Sequence, residues 1–349
     1  MTHLNLSEAY LERIITHHIG NKTLEESVRL SDEESLINQE SKTYFLKYFL
    51  ANFKVEDEIY CFTHTVNLDM NEVYKLVCEI FDNPGNFVTH SKSLAKLLYE
   101  TSNHPKIKEG QFNIVHFSNI ELDEEVTDAI GIFKSETNAP FIKMNRASGR
   151  FTLNHEFGFD LKDLDKGCLI VNTEINQGFK VLLIDKLGKT KEAQYWKDAF
   201  LQVEPVKNEF HQTNQVLGLT KKYVTEQLDQ QFEVTKADKI DLLNRSVNYF
   251  KENESFEKES FENEVLQDHS VIESYRSFGK TYIEENDVEI PDNFEISAQA
   301  VKKQARVFKS VLKLDKNFHI YIHGDRKLIE QGVDNDGRKF YKIYFQEEN

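Results

Sequence analysis

Residues 167–185 read GCLIVNTEINQGFKVLLID, and this stretch predicts two β-strands joined by a turn. The runs 167–171 and 180–185 are short and rich in aliphatic and β-branched residues, which favours strands over helices. Between them, Asn176-Gln177-Gly178 supplies residue types that tight turns use. We therefore expect these two strands to pair in the antiparallel sense.

The residues upstream extend this pattern to a sheet with helices beside it. Two more strand-like segments lie at residues 112–117 and 129–133, and Gly, Asn and Asp bound most of these runs. Short strands separated by turn residues are typical of antiparallel sheets. Nearer the N-terminus, the apolar spacing predicts helices over residues 41–53, 71–81 and 91–99.

The second half of the chain has mostly helical patterns. Helices are predicted over residues 192–200, 213–230, 236–250, 257–279 and 301–314. Near the end, Asp334-Asn335-Asp336-Gly337 separates two strand-like runs and predicts a β-hairpin. The prediction is an α+β protein with an antiparallel central sheet, flanking helices, and a mostly helical C-terminal part that ends in a β-hairpin. The predicted domains are residues 1–212 and 213–349.

Composition and motifs restrict the class of function. The chain has 349 residues and a formal net charge of −16, so a polyanion is repelled unless cations gather on one surface. The three cysteines are widely separated, which indicates free thiols in a reducing compartment. No apolar run reaches the roughly 18 residues of a membrane span. We found no phosphate-binding glycine pattern, nucleophile elbow or zinc motif, and we predict a cytoplasmic, non-enzymatic protein without cofactor or metal.

Several segments resemble the 37-kDa nucleoid-associated proteins of bacteria. The similar segments are HIGNK at residues 18–22, KYFL at 47–50, DAIGIFKSE at 128–136, the run from KGCLI at 166–170 to EAQYWKD at 192–198, and the C-terminal hairpin. The resemblance extends over nearly the whole chain and concerns pattern and order rather than a chemical motif. It implies association with the nucleoid, through double-stranded DNA or through nucleoid proteins, and it carries over no catalytic residue.

The first candidate DNA-binding site lies on the helix predicted over residues 301–314. Its cations recur at i, i+4, i+7 and i+11 and would share one helical face, beside an apolar stripe. They are Lys302, Arg306, Lys309 and Lys313, with Lys303 close by. The alternative is that this helix packs through its apolar stripe and its lysines are solvated or paired with the acidic residues 283–295.

Two further candidates are smaller. Residues 143–150 read KMNRASGR, a predicted loop whose two arginines, lysine and glycine could bind a phosphate; they are Arg146, Arg150, Lys143 and Gly149. The alternative is a solvated turn. Asp128, Lys134 and Glu136 lie near a predicted strand, as acids and a lysine do in metal-dependent nucleases. Their order does not match an acid-x-lysine pattern, which makes the nuclease the third hypothesis.

The leading functional hypothesis is therefore DNA binding without sequence specificity, by contacts to the phosphate backbone. An acidic adaptor protein that binds a DNA-processing protein through its helical surface is the alternative. The two differ in one measurement, because direct binding of purified protein to DNA weakens steeply with salt. Self-association is compatible with the sequence, which does not determine the oligomeric state.

Overall fold

The computed structural model describes residues 3–54, 58–147, 149–186, 195–286, 288–305, 311–314, 318–321 and 328–347. The chain divides into two compact units, Met1–Val206 and Lys207–Asn349. Within the described residues, helices that combine the length and the apolar character of a membrane span are absent.

The first unit is built on an antiparallel sheet, as predicted. Its strands are β1 (Leu4–Asn5), β2 (Tyr10–Ile19), β3 (Ile59–Phe62), β4 (Gly110–Leu122), β5 (Glu125–Ser135), β6 (Ala139–Ala147), β7 (Arg150–Gly158), β8 (Lys166–Val171), β9 (Lys180–Asp185) and β10 (Val203–Pro205). The order in the sheet is β1-β4-β5-β8-β9-β3-β10, with β2 also paired to β4. Among the strands that the structure describes, β6 and β7 pair only with each other and are treated below.

Helices cover both faces of this sheet. They are α1 (Gln39–Leu50), α2 (Glu72–Asp82) and α3 (Phe87–Thr101), together with a π-helical turn at Tyr195–Leu201. On one face, Val77, Leu94 and Trp196 belong to a core cluster with the inward side chains of the sheet. On the other face, Phe49 of α1 stacks on Phe133 with ring centroids 4.4 Å apart. The sheet is therefore buried between two layers, which explains its nearly continuous apolar strands.

The second unit is mostly helical and ends in a β-hairpin, as predicted. Its helices are α4 (Glu209–Lys222), α5 (Leu228–Gln231), α6 (Lys236–Glu252), α7 (Lys258–Phe261), α8 (His269–Asn286) and α9 (Ala298–Ala305). Its strands are β11 (Ser255–Glu257), β12 (Asn293–Glu295), β13 (Val311–Leu314), β14 (Phe318–Tyr321), β15 (Ile329–Val333) and β16 (Lys339–Ile343). Thr235 and Asp238 form a capping box at the start of α6. The α+β class is confirmed.

Two of the predicted helices are wrong in extent. The helix predicted over residues 257–279 is interrupted, because Gln267 has a φ of 66° and Asp268 accepts hydrogen bonds from the N–H groups of Ser270 and Val271. These contacts start a new helix, α8, at His269. A single helix over residues 301–314 is also wrong, because Val311–Leu314 is a strand that pairs with β14.

Candidate nucleic-acid interface

The β6–β7 pair is a two-stranded ribbon that continues the chain beyond the central strands β5 and β8. Ala139 pairs with Gly158 at its base, and Ala147 pairs with Arg150 at its tip. Nine residues per strand give a length of about 30 Å. Each side chain described between Ala139 and Phe157 is exposed. At the turn, Gly149 has a φ of +79°, which a glycine adopts without steric cost.

Alternation along the two strands gives the ribbon two different faces. The residues on one face, which we call the apolar face, are Pro140, Ile142, Met144, Arg146, Phe151, Leu153, His155 and Phe157. The residues on the other face, which we call the polar face, are Phe141, Lys143, Asn145, Arg150, Thr152, Asn154 and Glu156.

The polar face carries side chains that bind phosphate oxygens in nucleic-acid complexes: lysine, arginine, asparagine and threonine. Lys143 Nζ donates to Glu156 Oε1 at 3.0 Å, and both side chains are about half exposed. Arg150 stands beside the turn at the tip. Over residues 139–158, three cations against one carboxylate give a net charge of +2, in a chain whose net charge is −16. The polar face holds two of these cations, Lys143 and Arg150, and the carboxylate of Glu156.

Both predicted arginines of this region lie at the tip of the ribbon, but on opposite faces. Arg150 belongs to the polar face, while the guanidinium of Arg146 lies 5.6 Å from the ring centroid of Phe151 on the apolar face. The prediction of a loop at residues 143–150 is wrong, because most of these residues belong to paired strands.

The sequence analysis missed Asn145, Thr152 and Asn154 as candidate site residues. A signal was available, since apolar and polar residues alternate on both sides of Gly149. That period of two around a glycine is typical of a hairpin.

The second group of predicted cations is divided between a helix and a strand. Lys302 and Lys303 lie on α9, and Lys303 Nζ is 5.5 Å from the ring centroid of Phe210. Lys313 lies on β13 opposite His319. Arg306 and Lys309 fall outside the described residues. The expected helical row of four cations is therefore not formed, since Lys313 belongs to a strand.

The residues of the nuclease hypothesis do not share one site. Asp128 lies near the start of β5 and accepts a hydrogen bond from His116 at 3.0 Å. Glu136 lies just beyond the other end of β5, about 25 Å away at the rise of a strand. There it binds Lys134 Nζ at 2.7 Å. Among the residues that the structure describes, His, Cys, Asp and Glu form no cluster of three able to hold a metal ion.

Lys134 instead belongs to a buried polar cluster at the end of the sheet. Lys134 and Lys166 are directly opposite each other on β5 and β8, and their side chains are 0% and 2% exposed. Lys166 Nζ binds Asp185 at 2.8 Å, and the ring of Tyr195 lies within 6 Å of both ammonium groups, at 5.8 and 5.3 Å. Burial lowers the pKa of Lys134, and Glu136 opposes that shift. Each ammonium thus has a carboxylate partner, as a structural network requires.

Comparison with known proteins supplies the family. A family model described as nucleoid-associated protein YejK matches residues 15–339 of the 349 residues. This match covers the sheet from the second half of β2 onward, the ribbon and most of the second unit. No individually curated protein matches the chain. From the extent of the family match, the chain belongs to the family of the nucleoid-associated protein YejK.

Proposed function

We propose that this protein binds double-stranded DNA directly, through the polar face and the tip of the β6–β7 ribbon, as a non-enzymatic protein of the nucleoid in the bacterial cytoplasm. Family membership supports the nucleoid association. The observation that carries the direct contact is the ribbon itself, an exposed element with a net charge of +2 on a chain of −16.

The shape and chemistry of the ribbon suit a DNA groove. A two-stranded ribbon enters the major groove of B-DNA, which is about 12 Å wide. Its amide, hydroxyl and guanidinium groups can donate to phosphate oxygens on the groove walls. Such contacts carry no direct sequence information, so we expect weak discrimination between sequences. The acidic balance of the remaining chain repels the duplex and restricts contact to the ribbon.

The test is the salt dependence of DNA binding by the purified full chain. Each phosphate neutralised adds about −0.9 to the slope of log K against log salt. We expect the double variant Lys143→Ser/Arg150→Ser to bind DNA more weakly. Its slope of log K against log salt should be less steep by about two units. The affinity for duplexes of different sequence should fall by the same factor.

A matched control separates the two groups of cations found in the sequence. The variant Lys302→Ser/Lys303→Ser removes the same charge from α9, and we expect it to keep the slope of the original protein. If the α9 variant makes the slope of log K against log salt less steep and the ribbon variant leaves it unchanged, the ribbon is not the DNA-binding element.

The acidic helical surface of the second unit supports an adaptor as the second candidate function. Residues 251–274 carry two lysines against eight acids, a net charge of −6, and all of these acids except the buried Glu262 are exposed. Such a surface suits a basic protein partner rather than DNA. If the purified protein does not bind DNA even at about 50 mM salt, where electrostatic binding is strong, the adaptor is favoured.

A further inference from the structure

The second unit contains a small pocket between α4, α8 and the chain that leads into β12, which we call the α8 pocket. Its volume is about 190 Å³. The floor is apolar and is formed by Val216, Leu219, Phe256, Ile283, Ile290 and Pro291. An apolar cavity of about 150 Å³ admits a molecule as large as benzene. The α8 pocket therefore has room for one six-membered ring with a small substituent.

A glycine keeps the floor of the α8 pocket open. Gly279 lies buried in the interior of α8, where glycine is less favourable than alanine. A Cβ at this position would meet Leu219 Cδ2 at 3.7 Å, which is ordinary van der Waals contact. The packing of α8 against α4 therefore does not require a glycine. What the missing side chain leaves is the open space of the pocket.

Charged side chains complete the lining of the α8 pocket. Glu262 is 1% exposed, and its carboxylate accepts hydrogen bonds of 2.6–3.1 Å from Nε and Nη2 of Arg276. Asp292 accepts a hydrogen bond of 2.9 Å from Lys258 Nζ. Each carboxylate is therefore neutralised by one cation. In the part of the chain that the structure describes, Lys280 forms no ion pair, so the lining has an excess of one positive charge.

Two of the cations can bind one anion together. Arg276 and Lys280 are four residues apart on α8 and therefore adjacent on one face of the helix. The side chain of Arg276 is 51% exposed, and its bonds to Glu262 leave Nη1 as a further donor. We propose that the α8 pocket binds a small organic carboxylate whose apolar part has about six carbons. The apolar part fills the space beside Gly279, and the carboxylate accepts from Arg276 and Lys280.

The lining favours this chemistry over other small ligands. Binding sites for small molecules combine mostly apolar walls with a few polar groups that fix the orientation of the ligand. A hydrophilic anion such as phosphate has no apolar part to place on the floor. An amine is opposed by the excess positive charge, because both carboxylates already have cation partners. The volume excludes long-chain acids.

The experiment is a titration of the purified full chain with benzoate, followed by saturation-transfer-difference NMR. Benzoate is small, so we expect a Kd on the order of 1 mM. Acetate has the charge without the ring, and benzamide has the ring without the charge. We expect both to bind at least about fivefold more weakly than benzoate. Equal affinities for benzoate and benzamide, or tighter binding of benzylamine, would overturn the selection of a carboxylate.

Two variants place the ligand in the α8 pocket. Gly279→Leu fills the floor and should abolish the binding of benzoate. It should also raise Tm, because leucine favours a helix more than glycine does. Lys280→Gln changes an exposed side chain. It should weaken benzoate binding about three- to fivefold and leave benzamide binding unchanged. If Gly279→Leu does not fold, the Lys280→Gln result decides.

The control removes the same charge outside the pocket. Lys251 is an exposed lysine in the last turn of α6, and Lys251→Gln should bind benzoate like the original protein. The inference fails if benzoate does not bind at about 10 mM. It also fails if folded Gly279→Leu retains full affinity, or if Lys280→Gln and Lys251→Gln weaken binding equally. The pocket uses no residue of the ribbon and no DNA is present, so the result is independent of the proposed function.

Discussion

The β5–β8 pair and the β6–β7 ribbon are successive parts of the same two chain segments, yet they have opposite burial. In the sheet, Lys134 is completely buried, whereas on the ribbon Phe157 is 65% exposed. Helices cover both faces of β5 and β8, but no described residue of the ribbon up to Phe157 is buried. Whether helices cover a strand, rather than the type of its residues, therefore decides which of these side chains are exposed to water.

The comparison separates two kinds of unusual residue. A buried lysine must find partners within the fold, because an uncompensated charge in the interior is strongly destabilising. An exposed phenylalanine carries no charge and has no such requirement. Its only cost is the unfavourable contact between its apolar surface and water. Substitutions in the sheet should therefore change stability, and those on the ribbon should change binding.

The largest effect is expected for Lys134→Ala. This change leaves the Glu136 carboxylate, whose side chain is 6% exposed, without the ammonium that it binds at 2.7 Å. Breaking a buried ion pair at one partner costs about 3–5 kcal/mol. Urea unfolding of the full chain measures the loss.

The double variant Lys134→Met/Glu136→Leu is the control for this prediction. It removes both charges and should recover much of the lost stability. Lys143→Ala, on the exposed ribbon, should change the free energy of unfolding by less than about 0.5 kcal/mol. Equal losses for Lys134→Ala and Lys143→Ala would contradict the contrast between the two regions.

An effect of intermediate size is expected from His17, a buried residue of strand β2, on the pH dependence of the free energy of unfolding. Its ring is 1% exposed; Nδ1 accepts from the N–H of Ser31, and Nε2 donates to Ser91 Oγ. Burial, with a smaller contribution from Lys92, lowers the pKa of His17 from 6.5 to about 4. Between these two values the unfolded chain binds a proton that the folded chain does not.

The free energy of unfolding should therefore decrease as pH falls from 6.5 towards 4, and this contribution is fully present only above 6.5. Unfolding in urea at several pH values measures the slope. In His17→Gln, which lacks the titrating ring, the slope should be smaller. Identical slopes in the two proteins would show that His17 does not titrate as its burial implies.

Removal of the whole ribbon is also expected to have only a small effect on stability. Residues 139–158 can be replaced by a short glycine–serine loop, because Ala139 and Gly158 are paired neighbours at the base. The free energy of unfolding should change by less than about 1 kcal/mol. Loss of cooperative unfolding would show that the ribbon supports the sheet.

Local pattern was sufficient for most of the elements. The strands near residues 112–117, 129–133, 167–171 and 180–185 were predicted because their apolar runs are short and bounded by turn residues. Strand β2 was missed, since YLERIITHHI mixes apolar, charged and histidine residues and contains a register shift between Leu11 and Arg13. Its identity as a strand depends on its long pairing with β4.

The candidate site was only partly predictable, for a similar reason. Arg146 and Arg150 were identified by charge, but their division between two faces depends on the register of β6 against β7. The cations after Val301 have a helical spacing, yet Lys313 lies on a strand because Val311–Leu314 pairs with Phe318–Tyr321. Pairing with a distant segment overrides a local period.

The α+β class, the capping box of α6, the terminal hairpin and the excess of acids could all be read from neighbouring residues, because periodicity, turn chemistry and charge are local properties. Tertiary structure decided that two lysines lie inside the sheet and that a row of hydrophobic side chains lies outside it. Burial depends on which layers cover a strand, and those layers come from residues far away in the chain.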